Sequence, residues 1–146
     1  MARYGVYKGS VDGSAPVHKL MPVAANQTLK NGFVVVNSTN RAAAAGQAAA
    51  DGTVYGVTVN SITTTGTVGA SDTVFVDVNP NSIYEFPYVG STKTSLTDSD
   101  LGTTFDLGAN AYTVNLDDTT GGYFRCVGYS NTKKTIDVVI RNRDIK

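Results

Sequence analysis

Residues 121–141, Gly-Gly-Tyr-Phe-Arg-Cys-Val-Gly-Tyr-Ser-Asn-Thr-Lys-Lys-Thr-Ile-Asp-Val-Val-Ile-Arg, constrain the fold of this chain more than any other stretch. Successive side chains of a strand point to opposite faces. That rule puts Phe124, Cys126 and Gly128 on one side and Tyr123, Arg125, Val127 and Tyr129 on the other. Downstream, Ile136, Val138 and Ile140 alternate against Thr135, Asp137 and Arg141. Two β-rich runs joined by the polar residues 130–134 predict one long hairpin, with a loop too long to set the register by itself.

The same reading finds further strands upstream. Phe33-Val34-Val35-Val36-Asn37, opened by Asn31-Gly32, is a continuous apolar run and predicts a strand covered on both sides. Val54 to Asn60 is a second. Val74, Val76 and Val78 alternate with Phe75 and Asp77 in a third, and Asn79-Pro80-Asn81-Ser82 turns the chain into Ile83 to Tyr88. Pro87 donates no backbone hydrogen bond, so that return strand is expected to end there or to lie at an edge. Residues 42–50, mostly alanine, lack an apolar stripe and read as a surface loop with one helical turn at most. Residues 90–102 form a polar linker in which Ser95 or Thr97 is placed to cap a turn through Asp98 to Leu101. Short strands at 104–107 and 111–116 complete the pattern.

Residues 1–26 carry Gly5, Gly9, Gly13, Pro16 and Pro22 with only scattered apolar side chains, too few to bury the segment on itself. They are expected to form an extended arm, lying either along the chain's own barrel or on a partner's sheet edge. The expected organisation is therefore all-β: an arm over 1–26, then a single small barrel or sandwich over 27–146, built from about eight short antiparallel strands. Composition agrees, with 15 glycines and only 16% charged residues, a balance that favours strands and turns over helix.

The chemistry on offer is sparse. Lysine plus arginine equals aspartate plus glutamate at 12 each, so no net field draws the chain to nucleic acid, which is not an expected partner. No apolar run reaches the roughly 20 residues of a membrane span or the length of a signal peptide, so a soluble protein without classical export is expected. The single histidine, His18, lies in the arm and the single cysteine, Cys126, in a strand. No catalytic residue is assigned, and Cys126 is expected to be a small buried hydrophobe. Asp98 with Asp100 and Asp117 with Asp118 are the acidic clusters that a hard cation would need, but turns use aspartate in the same way. No metal or cofactor is assigned. Gly121-Gly122 precedes a strand, not a helix, and serves a turn. Tyr84, Phe86 and Tyr88, on one face of a strand, are expected in packing between subunits or in the core, with stacking on sugars or bases as the other use.

The order of Leu29-Lys30-Asn31-Gly32 before Phe33 to Val36, Tyr55-Gly56-Val57 after the alanine-rich loop, Thr73 to Val76 followed by Ile83 to Phe86, and Asp118 to Tyr129 resembles the small β-barrel decoration (cement) proteins of tailed-phage capsids. The resemblance implies a non-enzymatic structural protein on the outer capsid surface of the virion, made in the host cytoplasm. Its expected partners are the major capsid protein and further copies of itself, a trimer being favoured. On that reading Arg3, Tyr4, Val6 and Tyr7 of the arm contact the capsid, and Tyr84, Phe86 and Tyr88 make subunit contacts. The alternative expectation is a carbohydrate-binding or host-attachment module of a virion, such as a head-fibre or tail-associated domain.

Overall fold

The computed structural model describes residues 5–36, 40–45, 54–120 and 122–141. Within them the chain forms thirteen short strands: β1 (Val6–Ser10), β2 (His18–Pro22), β3 (Thr28–Lys30), β4 (Phe33–Val36), β5 (Ala42–Ala44), β6 (Val54–Thr58), β7 (Ser61–Thr63), β8 (Thr73–Asp77), β9 (Ser82–Val89), β10 (Thr104–Leu107), β11 (Val114–Asn115), β12 (Phe124–Ser130) and β13 (Thr135–Ile140). One 3-10 turn, Asp98–Asp100, interrupts them. The fold is all-β, as the turn spacing predicts.

The expected count of about eight falls short because β1 and β2 lie in the segment read as an arm and β3, β5 and β7 are only three residues long, too short to show a period; the strand expected over 111–116 forms only as the two-residue β11. The alanine-rich segment supplies one of them. Ala42–Ala44 pairs with Val34 to Val36 as an edge strand, not as the loop its composition predicts; residues 46–50 of that segment lie outside the described residues. Nor are all pairings antiparallel, since β11 runs parallel to β9.

Strands β9, β11, β10, β12 and β13 pair in that order, and β13 returns to β9, closing a five-stranded barrel to which β1 adds on the outer edge of β9. A second sheet, in the order β2-β8-β6-β4-β5, packs against the barrel, and the β3–β7 pair lies on its far side. The expectation that β4 is covered on both faces holds for Phe33 and Val34, both fully buried. Phe33 enters the barrel core, and Val34 enters a second core with Met21, Val23, Leu29, Tyr55, Val74 and Val76.

Phe33 joins the two sheets. Its ring stacks on Phe86 at 4.0 Å and on Phe124 at 4.2 Å, both from barrel strands. Stacked pairs contribute about 0.5–1.5 kcal/mol each beyond the area they bury. The close approach between strands also needs Gly56, where a Cβ would lie 2.3 Å from the Asp77 carbonyl oxygen.

The β12–β13 hairpin forms as expected, with a bulge between Cys126 and Gly128 that inserts Val127. The bulge shifts the alternation by one. Phe124 and Cys126 face the barrel core, and beyond the bulge Tyr129, not Gly128, packs against it. Pro87 lies inside β9 instead of ending it. The Tyr88 N–H donates to the carbonyl of Lys134, just ahead of β13, at 3.1 Å, so even-numbered residues of β9 bond β13 and odd-numbered ones face the other way. Position 87 therefore points into the gap after β1 ends at Glu85 and before β11 begins at Tyr88, where a missing N–H costs nothing.

Residues 5–26 are extended and follow the chain's own sheets. β1 pairs with β9 and β2 with β8, so two strands of the expected arm are integral to the sheets.

Candidate contact surface

What fastens the N-terminal segment is a turn that sequence reading assigned only to reversing the chain. Asp77, Asn79 and Asn81 alternate along the β8–β9 connection, and each side chain grips residues 11–17. The buried Asp77 carboxylate accepts hydrogen bonds from the Val17 N–H at 3.2 Å, the Asn79 N–H at 2.9 Å and the Tyr84 hydroxyl at 2.8 Å. Asn79 Nδ2 donates to Ser14 Oγ and to the Ala15 carbonyl, both at 2.8 Å. Asn81 Nδ2 donates to Asp12 Oδ2 at 2.8 Å, and the Val11 N–H to the Asn81 carbonyl at 3.0 Å. A buried carboxylate satisfied by three donors is far cheaper than one left unpaired.

With its polar backbone held, the segment turns its apolar side chains outward. Seven large hydrophobics among the described residues are exposed, and four of them, Tyr7, Val11, Val17 and Leu20, lie here. A fifth, Phe75, sits directly across β2–β8 from Leu20, and the His18 ring is 6.2 Å from it. The ring of Tyr7 meets that of Tyr84 edge-on at 5.6 Å, and Tyr84 reaches Asp77, which faces His18 across the strands. A line of contacts thus runs from β1 over the seam between barrel and second sheet to β2, with exposed apolar groups along it.

Of the arm residues expected to make contacts, Tyr7 is exposed, Val6 is half-buried opposite Glu85, and Arg3 and Tyr4 lie outside the described residues. The aromatic set on β9 is a correction. Tyr84, Phe86 and Tyr88 do share a face, but closure of the barrel turns that face inward, leaving them 6%, 0% and 7% exposed. Their polar ends find partners within the chain, Tyr84 on Asp77 and Tyr88 on Asn131 Oδ1 at 2.8 Å. They form core and are not presented as a ridge to a neighbouring subunit. Leu20 and Phe75 had no role in the sequence reading: Leu20 lies in a segment read as an arm and not as a strand, and Phe75 shares with Asp77 the face opposite Val74 and Val76 in a strand that reads as one-sided.

The acidic loops follow turn chemistry. Asp117 accepts from the N–H groups of Ser91 at 2.6 Å and Lys93 at 2.7 Å, and the backbone donors of Lys93 and then Ser91 hold its carboxyl down at about 2. Asp118 accepts from the Thr120 N–H, and Asp98 from the Tyr129 hydroxyl. Asp100 accepts from the Thr97 N–H, the cap position expected, and pairs with Lys93 at 3.0 Å. Among the described residues no three His, Cys, Asp or Glu side chains converge as metal ligands. Burial pushes the Cys126 thiol up to about 11, and His18, exposed on β2, faces Asp77 and not Asp117.

An open depression of about 260 Å³ at the barrel end is lined by Tyr88, Val89, Gly90, Thr94 and Lys134. Its one ring, that of Tyr88, is buried, so it offers no aromatic face for a sugar to stack on. No known protein family, curated protein or solved structure matches the chain.

Proposed function

We propose that this chain is a structural decoration protein: a non-enzymatic β-scaffold that binds the outer surface of an assembled phage capsid and braces neighbouring capsomers. The observation that carries the reading is the placement of exposed apolar groups. Leu20 and Phe75 form an exposed pair across β2 and β8, and Tyr7, Val11 and Val17 are exposed along the adjoining segment whose backbone is fixed by Asp77, Asn79 and Asn81. Grouped exposed apolar residues mark a surface that meets another macromolecule, whereas scattered single ones do not. The partner on this reading is the major capsid protein, engaged by a homo-oligomer, with a trimer as the working assumption. Weak contacts of this kind gain strength when a lattice repeats them.

The sugar-binding alternative has less support, because the aromatic side chains it would use on β9 are buried. To test the proposal, purified protein is added to shells of the encoding phage that lack it. Stoichiometric retention on sedimentation, with a rise in the shell's resistance to heat, is expected. A selective hit on a glycan array with no retention on shells would replace this reading by the alternative.

A further inference from the structure

The chain contains three steps in which aspartate or asparagine precedes glycine: Asp12–Gly13, Asn31–Gly32 and Asp51–Gly52. At such a step the glycine nitrogen, unhindered by a side chain, attacks the carbonyl carbon of the preceding side chain and closes a five-membered succinimide ring. In an unstructured chain asparagine reacts faster than aspartate, because an ionised carboxylate resists attack. Asp51–Gly52 lies outside the described residues, and the other two steps meet opposite surroundings. Asn31–Gly32 is locked. Gly32 is buried, its N–H donates to Thr58 Oγ1 at 3.1 Å, and its carbonyl accepts from the Thr58 N–H at 3.0 Å. A Cβ on Gly32 would stand 2.5 Å from the Tyr112 ring, so this peptide has no room to swing.

Asp12–Gly13 is open. Both residues are exposed, no atom beyond the chain neighbours lies within 4 Å of a Cβ built on Gly13, and the Gly13 N–H has no acceptor among the described residues. Asp12 Oδ1 accepts from the Ser14 N–H at 3.0 Å and from the Ser14 hydroxyl at 2.6 Å. A carboxylate bonded to the N–H two residues on is folded back over the intervening peptide, which brings its carbon toward the Gly13 nitrogen. What restrains attack is charge. The Ser14 hydroxyl and then the Ser14 N–H hold the Asp12 carboxyl below its ordinary range, and Asn81 Nδ2 donates to Oδ2 at 2.8 Å. Ser14, Ser10 and Asn81, the groups around this carboxylate, are all uncharged.

We propose that Asp12–Gly13 is a site of spontaneous isomerisation, at which aspartate becomes isoaspartate and residues 11–17 are unfastened from the β8–β9 turn. The Gly13 nitrogen bonds to Asp12 Cγ and gives up its proton, and a carboxyl oxygen leaves as water. Water then opens the ring at either carbonyl, returning aspartate or leaving isoaspartate, so the overall mass is unchanged. In isoaspartate the backbone runs through Cβ and Cγ, and the free carboxylate sits on Cα. That carboxylate is out of step with Asn81 and Ser14, and its bonds to both are lost. The site concerns only how the segment is held, so it does not depend on the shell-binding reading.

Trypsin separates the two sites, cutting after Lys8 and Lys19 around Asp12 and after Lys30 and Arg41 around Asn31. Native full-length protein, incubated at physiological temperature, is expected to accumulate isoaspartate in peptide 9–19, detected by enzymatic carboxyl methylation, while Asn31 in peptide 31–41 keeps its amide. In urea, with Thr58 no longer holding Gly32, that order is expected to reverse. Isomerisation at Asp12 is expected to run faster in mildly acidic than in mildly alkaline buffer, because the neutral carboxyl is the form attacked. Asn81→Ala is expected to speed it several-fold, and Asp12→Glu, whose longer side chain cannot close a five-membered ring, to abolish it. Amide exchange over residues 11–17 is expected to rise in the isomerised fraction. Deamidation of Asn31 ahead of Asp12 in native protein, an Asp12 that stays unmodified, or isomerisation that leaves exchange over residues 11–17 unchanged overturns the proposal. If Asn81→Ala loses its β-sheet circular dichroism, the pH dependence in the unaltered protein decides.

Discussion

The barrel and the N-terminal segment solve opposite problems. The barrel encloses Phe33, Phe86, Phe105, Phe124, Ile136 and their neighbours and has few apolar groups left over. The segment from residue 5 to 22 buries one large apolar side chain, Met21, and is held mainly by strand pairing and the side chains of Asp77, Asn79 and Asn81. Stability therefore resides in closure of the barrel. The segment is kept in place by directional polar contacts, which leaves its hydrophobic groups free to face outward.

The contrast is broken most forcefully at Phe33. Phe33→Ala removes both ring stacks and leaves a cavity between the sheets, at a cost of about 3–5 kcal/mol. Urea unfolding would show it as a fall in midpoint with little change in slope. Asp77→Ala comes next. It leaves the Val17 and Asn79 amides and the Tyr84 hydroxyl without their acceptor, at about 2–3 kcal/mol. Unlike Phe33→Ala, it is expected to speed amide exchange selectively over residues 11–21, ahead of global unfolding.

Acid sharpens the comparison. The Asp117 carboxyl is held at about 2 against an ordinary 3.8, so the stability it contributes is present above pH 4 and is lost as pH falls from about 4 toward about 2. Amide exchange in residues 91–93 is expected to rise across that window in the native protein and to show no such step in Asp117→Asn. Asp137, on the barrel wall, behaves in the reverse sense. Burial raises its carboxyl, Lys8 draws it down and the neighbouring Glu85 pushes it up. Its folded form holds the proton more tightly than the unfolded chain does, so its contribution declines as pH climbs above 3.8. Asp137→Asn is expected to flatten that decline and raise the melting temperature slightly at neutral pH. Smallest of all, Val11→Ser and Val17→Ser change stability by no more than about 0.5 kcal/mol, since both side chains are exposed.

How much of this was legible in the sequence varies by element. The long strands showed themselves because a period-2 pattern needs four or more residues, as in Thr135–Ile140 and Thr73–Asp77. Val114–Asn115 is all that forms of the strand expected over 111–116, and Ala42–Ala44 hid inside a composition that favours helix. Barrel closure is a long-range property, so the face of Tyr84, Phe86 and Tyr88 was readable but its direction was not. The bulge at Val127 reversed the expected side of Tyr129 for a related reason, one extra residue being invisible to alternation until the partner strand is in place. The candidate contact surface was visible in the sequence only in part. Tyr7 stood out as apolar in a polar segment, whereas Leu20 beside Phe75 arises only from the pairing of strands more than fifty residues apart.

The division of labour between the two regions is tested most directly by one paired measurement on Val11→Ser/Val17→Ser protein: its melting temperature and its retention on the phage shells that the proposed function names. An unchanged melting temperature with reduced retention is expected. Full retention by the double variant would contradict the account, because the exposed groups of residues 7–20 would then contribute nothing to adhesion.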